Sequence, residues 1–142
     1  MPNSERILVL VKPDGVRRGL IGEVLSRIEA HGFLIEALDM RLATEELLAA
    51  HYAEHGDAPF YPALVTYMSS GPLVAMVARG ARIIESFRIM AGATDPVKAA
   101  PGTIRGDFGR DWGDGDVIQN VVHGSDSRAA AEREIGLWFP QL

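Results

Sequence analysis

Arg6-Ile7-Leu8-Val9-Leu10-Val11, stopped at once by Lys12-Pro13-Asp14-Gly15, is the stretch from which the fold is read. An unbroken β-favouring apolar run of this length, closed by turn residues, predicts a buried strand ending in a turn. Ile21, Val24, Leu25 and Ile28 then recur at helical spacing, predicting an amphipathic helix that stops near His31-Gly32. Phe33 to Leu42 reads as a second strand of imperfect alternation. Thr44 before Glu45 and Glu46 is an N-cap with acidic first-turn residues, opening a helix that carries His51 and Tyr52. Pro59 to Pro62 interrupts the pattern, and Ala63 to Ser69 is a short helix closed by Gly71-Pro72. Leu73 to Ala78 is a third strand, and Ile83, Phe87 and Met90 mark another helix. Val117 to Val122 reads as a fourth strand ending at His123-Gly124, and Ser125-Asp126-Ser127 caps a last helix over Arg128 to Ile135. Leu137-Trp138-Phe139 anchor the end apolarly. The order is β-α-β-α-α-β-α-β-α without an internal repeat. It predicts an α+β, ferredoxin-like β-α-β-β-α-β sandwich: a four-stranded antiparallel sheet with helices covering one face.

Composition narrows the chemistry. The 142 residues suit one domain, 1–142, large enough for a real core. With no Cys, a disulfide framework, a thiolate metal site and a cysteine nucleophile are excluded. No apolar run approaches the roughly 20 residues of a membrane span, and Met1-Pro2-Asn3-Ser4-Glu5-Arg6 lacks a signal-peptide layout, so a cytoplasmic protein is expected. Fourteen Lys+Arg against 19 Asp+Glu give a net charge of −5, which argues against a nucleic-acid coat but says nothing about a local field. Six of the 15 Gly and two of the eight Pro fall between Gly92 and Gly115, predicting one long ordered loop of the functional kind.

Several motifs fail. Neither a P-loop nor a G-x-G-x-x-G is present. Asp107-Phe108-Gly109 lacks the companion motifs of protein kinases, Arg105-Gly106-Asp107 has no adhesive context, and Asp111, Asp114 and Asp116 lack calcium-loop spacing. His123 stands apart because it closes an apolar strand just ahead of a helix start, where backbone N–H groups point outward. Glu134, about two turns into the next helix, is positioned to reach back to one ring nitrogen, with Ser125 bridging the two. An imidazole held as N–H on one side keeps a lone pair on the other, which serves a nucleophile or a general base equally well.

Lys12, Arg88 and Arg105 each lie at the terminus of a strand, helix or loop, and Thr94 and Asn120 offer neutral donors. Each cation alone reads as a solvated surface charge. Converging on His123 at one end of the sheet, they would make a polyphosphate site.

Asn120-Val121-Val122-His123-Gly124-Ser125-Asp126-Ser127 resembles the active-site signature of nucleoside diphosphate kinases. So do Lys12-Pro13-Asp14-Gly15-Val16, His51-Tyr52-Ala53-Glu54-His55, Tyr67-Met68-Ser69-Ser70-Gly71-Pro72, Pro101-Gly102-Thr103-Ile104-Arg105-Gly106-Asp107-Phe108 and Glu134-Ile135-Gly136-Leu137-Trp138-Phe139. Six blocks in the family's order span almost the whole chain. The resemblance implies the same sandwich and transfer of the γ-phosphate of ATP or another nucleoside triphosphate to a nucleoside diphosphate. The implied route is ping-pong, with Mg²⁺ carried on nucleotide phosphates and water rather than on protein ligands. It implies His123 as the phosphorylated nucleophile, through Nδ1, with Glu134 orienting the ring and Ser125 supporting that pair. Lys12 would bind the terminal phosphoryl, with Tyr52 against it. Arg88, Thr94 and Arg105 would hold the α- and β-phosphates, Asn120 the ribose, and Phe60 one base face. Stacking accepts every base, so broad specificity is expected. The alternative is a catalytically silent or regulatory nucleotide-binding member of the family.

Two departures stand out. Gly109 to Gln119 is a few residues longer than the family's usual connection. If the extra residues lie in the turn, Val117 keeps the position opposite Phe60; if they lie at the strand edge, Trp112 approaches the base instead. The chain also runs only three residues past Phe139, without the tail some members carry. A homo-oligomer built from symmetric dimers is implied, with dimer, tetramer and hexamer all open.

Overall fold

A computed structural model of the chain describes residues 4–110 and 117–142. Strand β1 (Ser4–Val11) leads into a short helix α1 (Pro13–Arg17), where a turn was expected. Pro13 starts a helix readily, because its missing N–H and fixed φ suit the first turn. Next come α2 (Ile21–Ala30), β2 (Leu34–Arg41), α3 (Glu45–His51), a 3₁₀ turn (Ala53–His55) and α4 (Tyr61–Met68). Then follow β3 (Leu73–Ala81), α5 (Ile83–Ala91), α6 (Ile104–Phe108), β4 (Val122–Gly124) and α7 (Arg128–Trp138). The strands form one antiparallel sheet in the order β2-β3-β1-β4, with Ile7 opposite Ala78 and Leu10 opposite His123. This is the expected sandwich.

The caps read from sequence hold the expected helices. Thr44 Oγ1 accepts the Leu47 N–H at 3.1 Å, and Ser127 Oγ accepts the Ala130 N–H at 3.0 Å. Cover differs from expectation. Ile7 to Val11 are all fully buried, and since alternate residues of a strand face opposite sides, both faces of the sheet's centre are covered rather than one. α7 and α5 make the main helical contacts with β1.

Other boundaries move: α4 already starts at Tyr61, with Pro62 in its first turn, and β3 runs on to Ala81. α7 runs on to Trp138, so Trp138 is a helical core residue, 1% exposed. The glycine-rich segment holds α6, capped by the Thr103 hydroxyl at 3.0 Å from the Gly106 N–H and seated by the buried Ile104. β4 covers only Val122–Gly124: Gln119 makes one isolated bridge to Arg110, and Val121 takes φ 72°, which breaks the extended run. An apolar run does not distinguish a strand from a buried irregular segment. Among the described residues, no helix is long and apolar enough to cross a membrane.

Candidate active site

The edges of β1, β4, α3 and α5 surround a cleft of about 1360 Å³. Lys12, Tyr52, Phe60, Arg88, Thr94, Arg105, Asn120, His123 and Glu134 all line it, from positions scattered across the chain. Ser125 lies beneath the floor, fully buried. Val117 is half-buried and, among the described residues, does not line the cleft; Trp112 lies outside the described residues.

His123 Nε2–H donates to Glu134 Oε1 at 2.9 Å, and the same oxygen accepts the Ser125 hydroxyl at 2.7 Å. Ser125 Oγ in turn accepts the Leu8 N–H at 3.1 Å, tying the pair to β1. Burial pushes the Glu134 carboxyl upward, but the hydrogen bonds from His123 and Ser125 outweigh that, so it lies below the ordinary range and is ionised. The His123 side chain is 22% exposed and that of Glu134 7%, so the ring meets the cleft over a buried anchor. With Nε2 committed, Nδ1 keeps its lone pair.

A second histidine closes the other flank, and sequence reading assigned it no role. His51 sits edge-on to the His123 ring, 4.7 Å between centroids, and its Nδ1 accepts the Trp138 indole N–H at 3.0 Å. Burial, followed by the neighbouring His123, lowers the His51 pKa to about 3, so the ring is neutral. Trp138 therefore does more than anchor the end of the chain. Its place beside His51 shows only once α3 and α7 are packed. From His51 a line of rings leads outward: Tyr52 at 4.6 Å edge-on, then His55, then Phe60 at 5.7 Å from His55. Phe60 is 43% exposed, an open aromatic face at the mouth.

The cations do converge. Lys12 Nζ donates to Asn120 Oδ1 at 2.8 Å, and Asn120 Nδ2 donates to the Thr94 carbonyl at 3.0 Å. Arg105 donates to the carbonyls of Gly92 at 2.9 Å, Val122 at 2.8 Å and Asn120 at 3.4 Å. Of the five N–H groups of a guanidinium, two remain for a ligand. Burial and then the charge of Arg105 lower Lys12 to about 8, despite Asp14 pulling the other way; burial and then Arg88 lower Arg105 to about 10. Cations lowered first by burial and then by a neighbouring cation are poised for an anion.

A sandwich that sets a carboxylate-held imidazole against such a cluster of cations defines a class, the phosphotransferases that act on nucleotides. The family model described as "Nucleoside diphosphate kinase" matches residues 5–142, and the chain belongs to that family. Curated nucleoside diphosphate kinases agree: that of Rhodococcus erythropolis is 59% identical over 98% of this chain and 97% of its own, and that of Thermobifida fusca 60% identical over 97% and 98%. Among solved structures, the halophilic nucleoside diphosphate kinase of Halobacterium salinarum in complex with CDP superposes with a TM-score of 0.89 at 48% identity, covering 96% of this chain and 88% of that one. A transition-state mimic of the Borrelia burgdorferi enzyme with bound vanadate and ADP gives 0.90 at 38%, covering 98% and 89%. The chain is an enzyme that transfers phosphate between nucleotides.

Proposed function

We propose that the chain, acting as one domain, carries the γ-phosphate from one nucleoside triphosphate to another nucleoside diphosphate on His123. The observation that carries the reading is the 2.9 Å bond from His123 Nε2–H to Glu134, which leaves Nδ1 as the free lone pair in a cationic cleft. Nδ1 attacks the γ-phosphorus, and the bond to the β,γ-bridging oxygen breaks as the diphosphate leaves with that electron pair. The phosphorylated ring gains positive charge, which the Glu134 carboxylate offsets while Nε2 keeps its proton. A second diphosphate reverses the step. Lys12 holds the transferring group, with Tyr52 against it. Arg88, Thr94 and Arg105 hold the remaining phosphates, Asn120 reaches the ribose, and Phe60 stacks on the base without reading its edge. The nucleotide and vanadate complexes of the solved relatives support a shared site for these groups.

The protein itself offers Mg²⁺ little. His51, His123 and Glu134 bring donor atoms within 4.8 Å of one another, but two imidazoles with one carboxylate do not fit an ion that favours an all-oxygen shell. In this reading Mg²⁺ travels on phosphate and water. A cytoplasmic setting, where nucleotide pools are held, and pairing of two copies belong to the same proposal. β2 is an edge strand with Leu34, Leu38 and Met40 exposed, which supports a second copy there. Sedimentation at micromolar concentration reads the mass, and a strict monomer would contradict the pairing.

The decisive test is labelling by γ-labelled ATP alone. An acid-labile, alkali-stable phosphate is expected on the native protein and none on His123→Gln. A native protein that is folded, supplied with Mg²⁺ and unlabelled would sink the reading.

A further inference from the structure

Val121 is fully buried, β-branched, and held at φ 72°, in the left-handed region that such residues rarely enter. Conformations of this kind persist only where the surroundings over-determine them. It stands between two residues of the site: Asn120 precedes it, and His123 follows two positions later. The reversal there turns Asn120 toward Lys12 and Thr94, and lets Val122 enter β4 opposite Val11.

Both peptide groups of Val121 are held by the segment that follows β1. The Lys12 N–H donates to the Val121 carbonyl at 2.7 Å, and the Val121 N–H donates to Asp14 Oδ2 at 3.2 Å. Asp14 is 1% exposed, and its other oxygen accepts the Tyr67 hydroxyl. Burial and then the Asp14 charge push the Tyr67 pKa up, so the hydroxyl keeps its proton and stays a donor. Gly15 completes the support. A Cβ there would come within 2.8 Å of Val11 Cγ1 and 3.1 Å of Val121 Cγ1, so only glycine lets α1 lie this close beneath the kink.

We infer that Asp14 is a positioning residue for phosphoryl transfer: its carboxylate holds Val121 in the left-handed conformation and thereby fixes Lys12, Asn120 and His123 relative to one another. The inference rests on the reading of His123 as the nucleophile. Asp14 is placed to touch no substrate; it acts through the backbone of Val121. A buried N–H outside the sheet ladder needs an acceptor, and an ionised one binds it more strongly than a neutral one.

The experiment measures GTP-to-ADP exchange and single-turnover labelling for Asp14→Ala, alone and combined with Val121→Gly or Val121→Ala, with thermal melts beside them. Asp14→Ala is expected to slow transfer about 10- to 100-fold, the cost of a small misplacement at a reacting centre. Glycine adopts φ 72° freely and alanine does not, while both remove the valine packing. In the Asp14→Ala background, Val121→Gly should therefore restore the rate by about tenfold and Val121→Ala should not. Equal effects of glycine and alanine, or an Asp14→Ala enzyme with a native rate per folded molecule, would overturn the inference. If Asp14→Ala does not fold, Tyr67→Phe removes only the hydroxyl that fixes the carboxylate. It should slow transfer about threefold, reversed by Val121→Gly, and a native rate there overturns the inference instead. The native label, lost in His123→Gln, checks the underlying reading separately. Its absence overturns both, whereas failed rescue with the label present overturns only the role of Asp14.

Discussion

The two sides of His123 are built on opposite principles. On one side, Glu134 accepts from the imidazole and from Ser125, Ser125 accepts from β1, and the group is closed before any substrate arrives. On the other, Lys12 and Arg105 crowd one another and Arg88, and two of the three have their proton affinity lowered by burial and by their neighbours. The first side is satisfied and rigid, so it fixes where the reacting lone pair points. The second gathers desolvated positive charge, which favours an anion. Preorganisation of the nucleophile and affinity for polyphosphate are thus placed in different residues, and substitutions should separate them.

The largest effect is expected on the cationic side. Lys12→Ala should lower kcat/KM for GTP-to-ADP exchange by about 10²- to 10³-fold, the usual cost of removing one donor aimed at developing charge. Its melting temperature should hold or rise, because a charge depressed by desolvation has been removed. A variant with near-native exchange would mean that the terminal phosphoryl is held elsewhere. Arg105→Ala is a poorer probe, since Arg105 also ties the backbone of Gly92, Asn120 and Val122 together and its loss costs stability as well.

On the closed side a smaller and different loss is expected. Glu134→Ala should slow phosphorylation about 10- to 100-fold, as for partners that orient metal-bound imidazoles, with nucleotide KM changed far less. The reverse split, KM rising while kcat holds, would make Glu134 a structural residue and erase the contrast between the two sides.

Much of this was legible in the sequence, and the part that was not has a physical reason. Thr44 and Ser127 cap their helices as expected because capping involves residues only three apart. The β1 run declared itself through composition alone. By contrast, the late start of β4 follows the kink at Val121, whose N–H donates to the carboxylate of Asp14, more than a hundred positions away; no local pattern carries that. His51 and Trp138 were likewise opaque, one placed on a helix and within a motif without a role and the other read as an apolar anchor, because their hydrogen bond exists only between packed helices. Lys12, Arg88 and Arg105 each looked like a surface charge. Their convergence is a property of the topology, which brings the ends of β1 and β4 alongside α5 and α6.

A pH profile gives the finest test of the cationic side, because activity and stability should move in opposite directions. Lys12, lowered to about 8 by burial and then by Arg105, is charged below that pH and loses its proton as pH rises through it. Since kcat/KM reports the free enzyme, capture of ATP should fall by up to about tenfold by pH 9. A bound polyphosphate favours the ammonium, so the corresponding limb in kcat should lie at higher pH. For stability the sign reverses. The folded pKa lies below the ordinary lysine value of 10.5, so between about 8 and 10.5 the unfolded chain binds more protons, and the contribution of Lys12 to stability rises with pH. Lys12→Ala should lack both trends. If the alkaline fall in kcat/KM persists in Lys12→Ala, another group is titrating, and the picture of a desolvated cation cluster that favours an anion fails at its central residue.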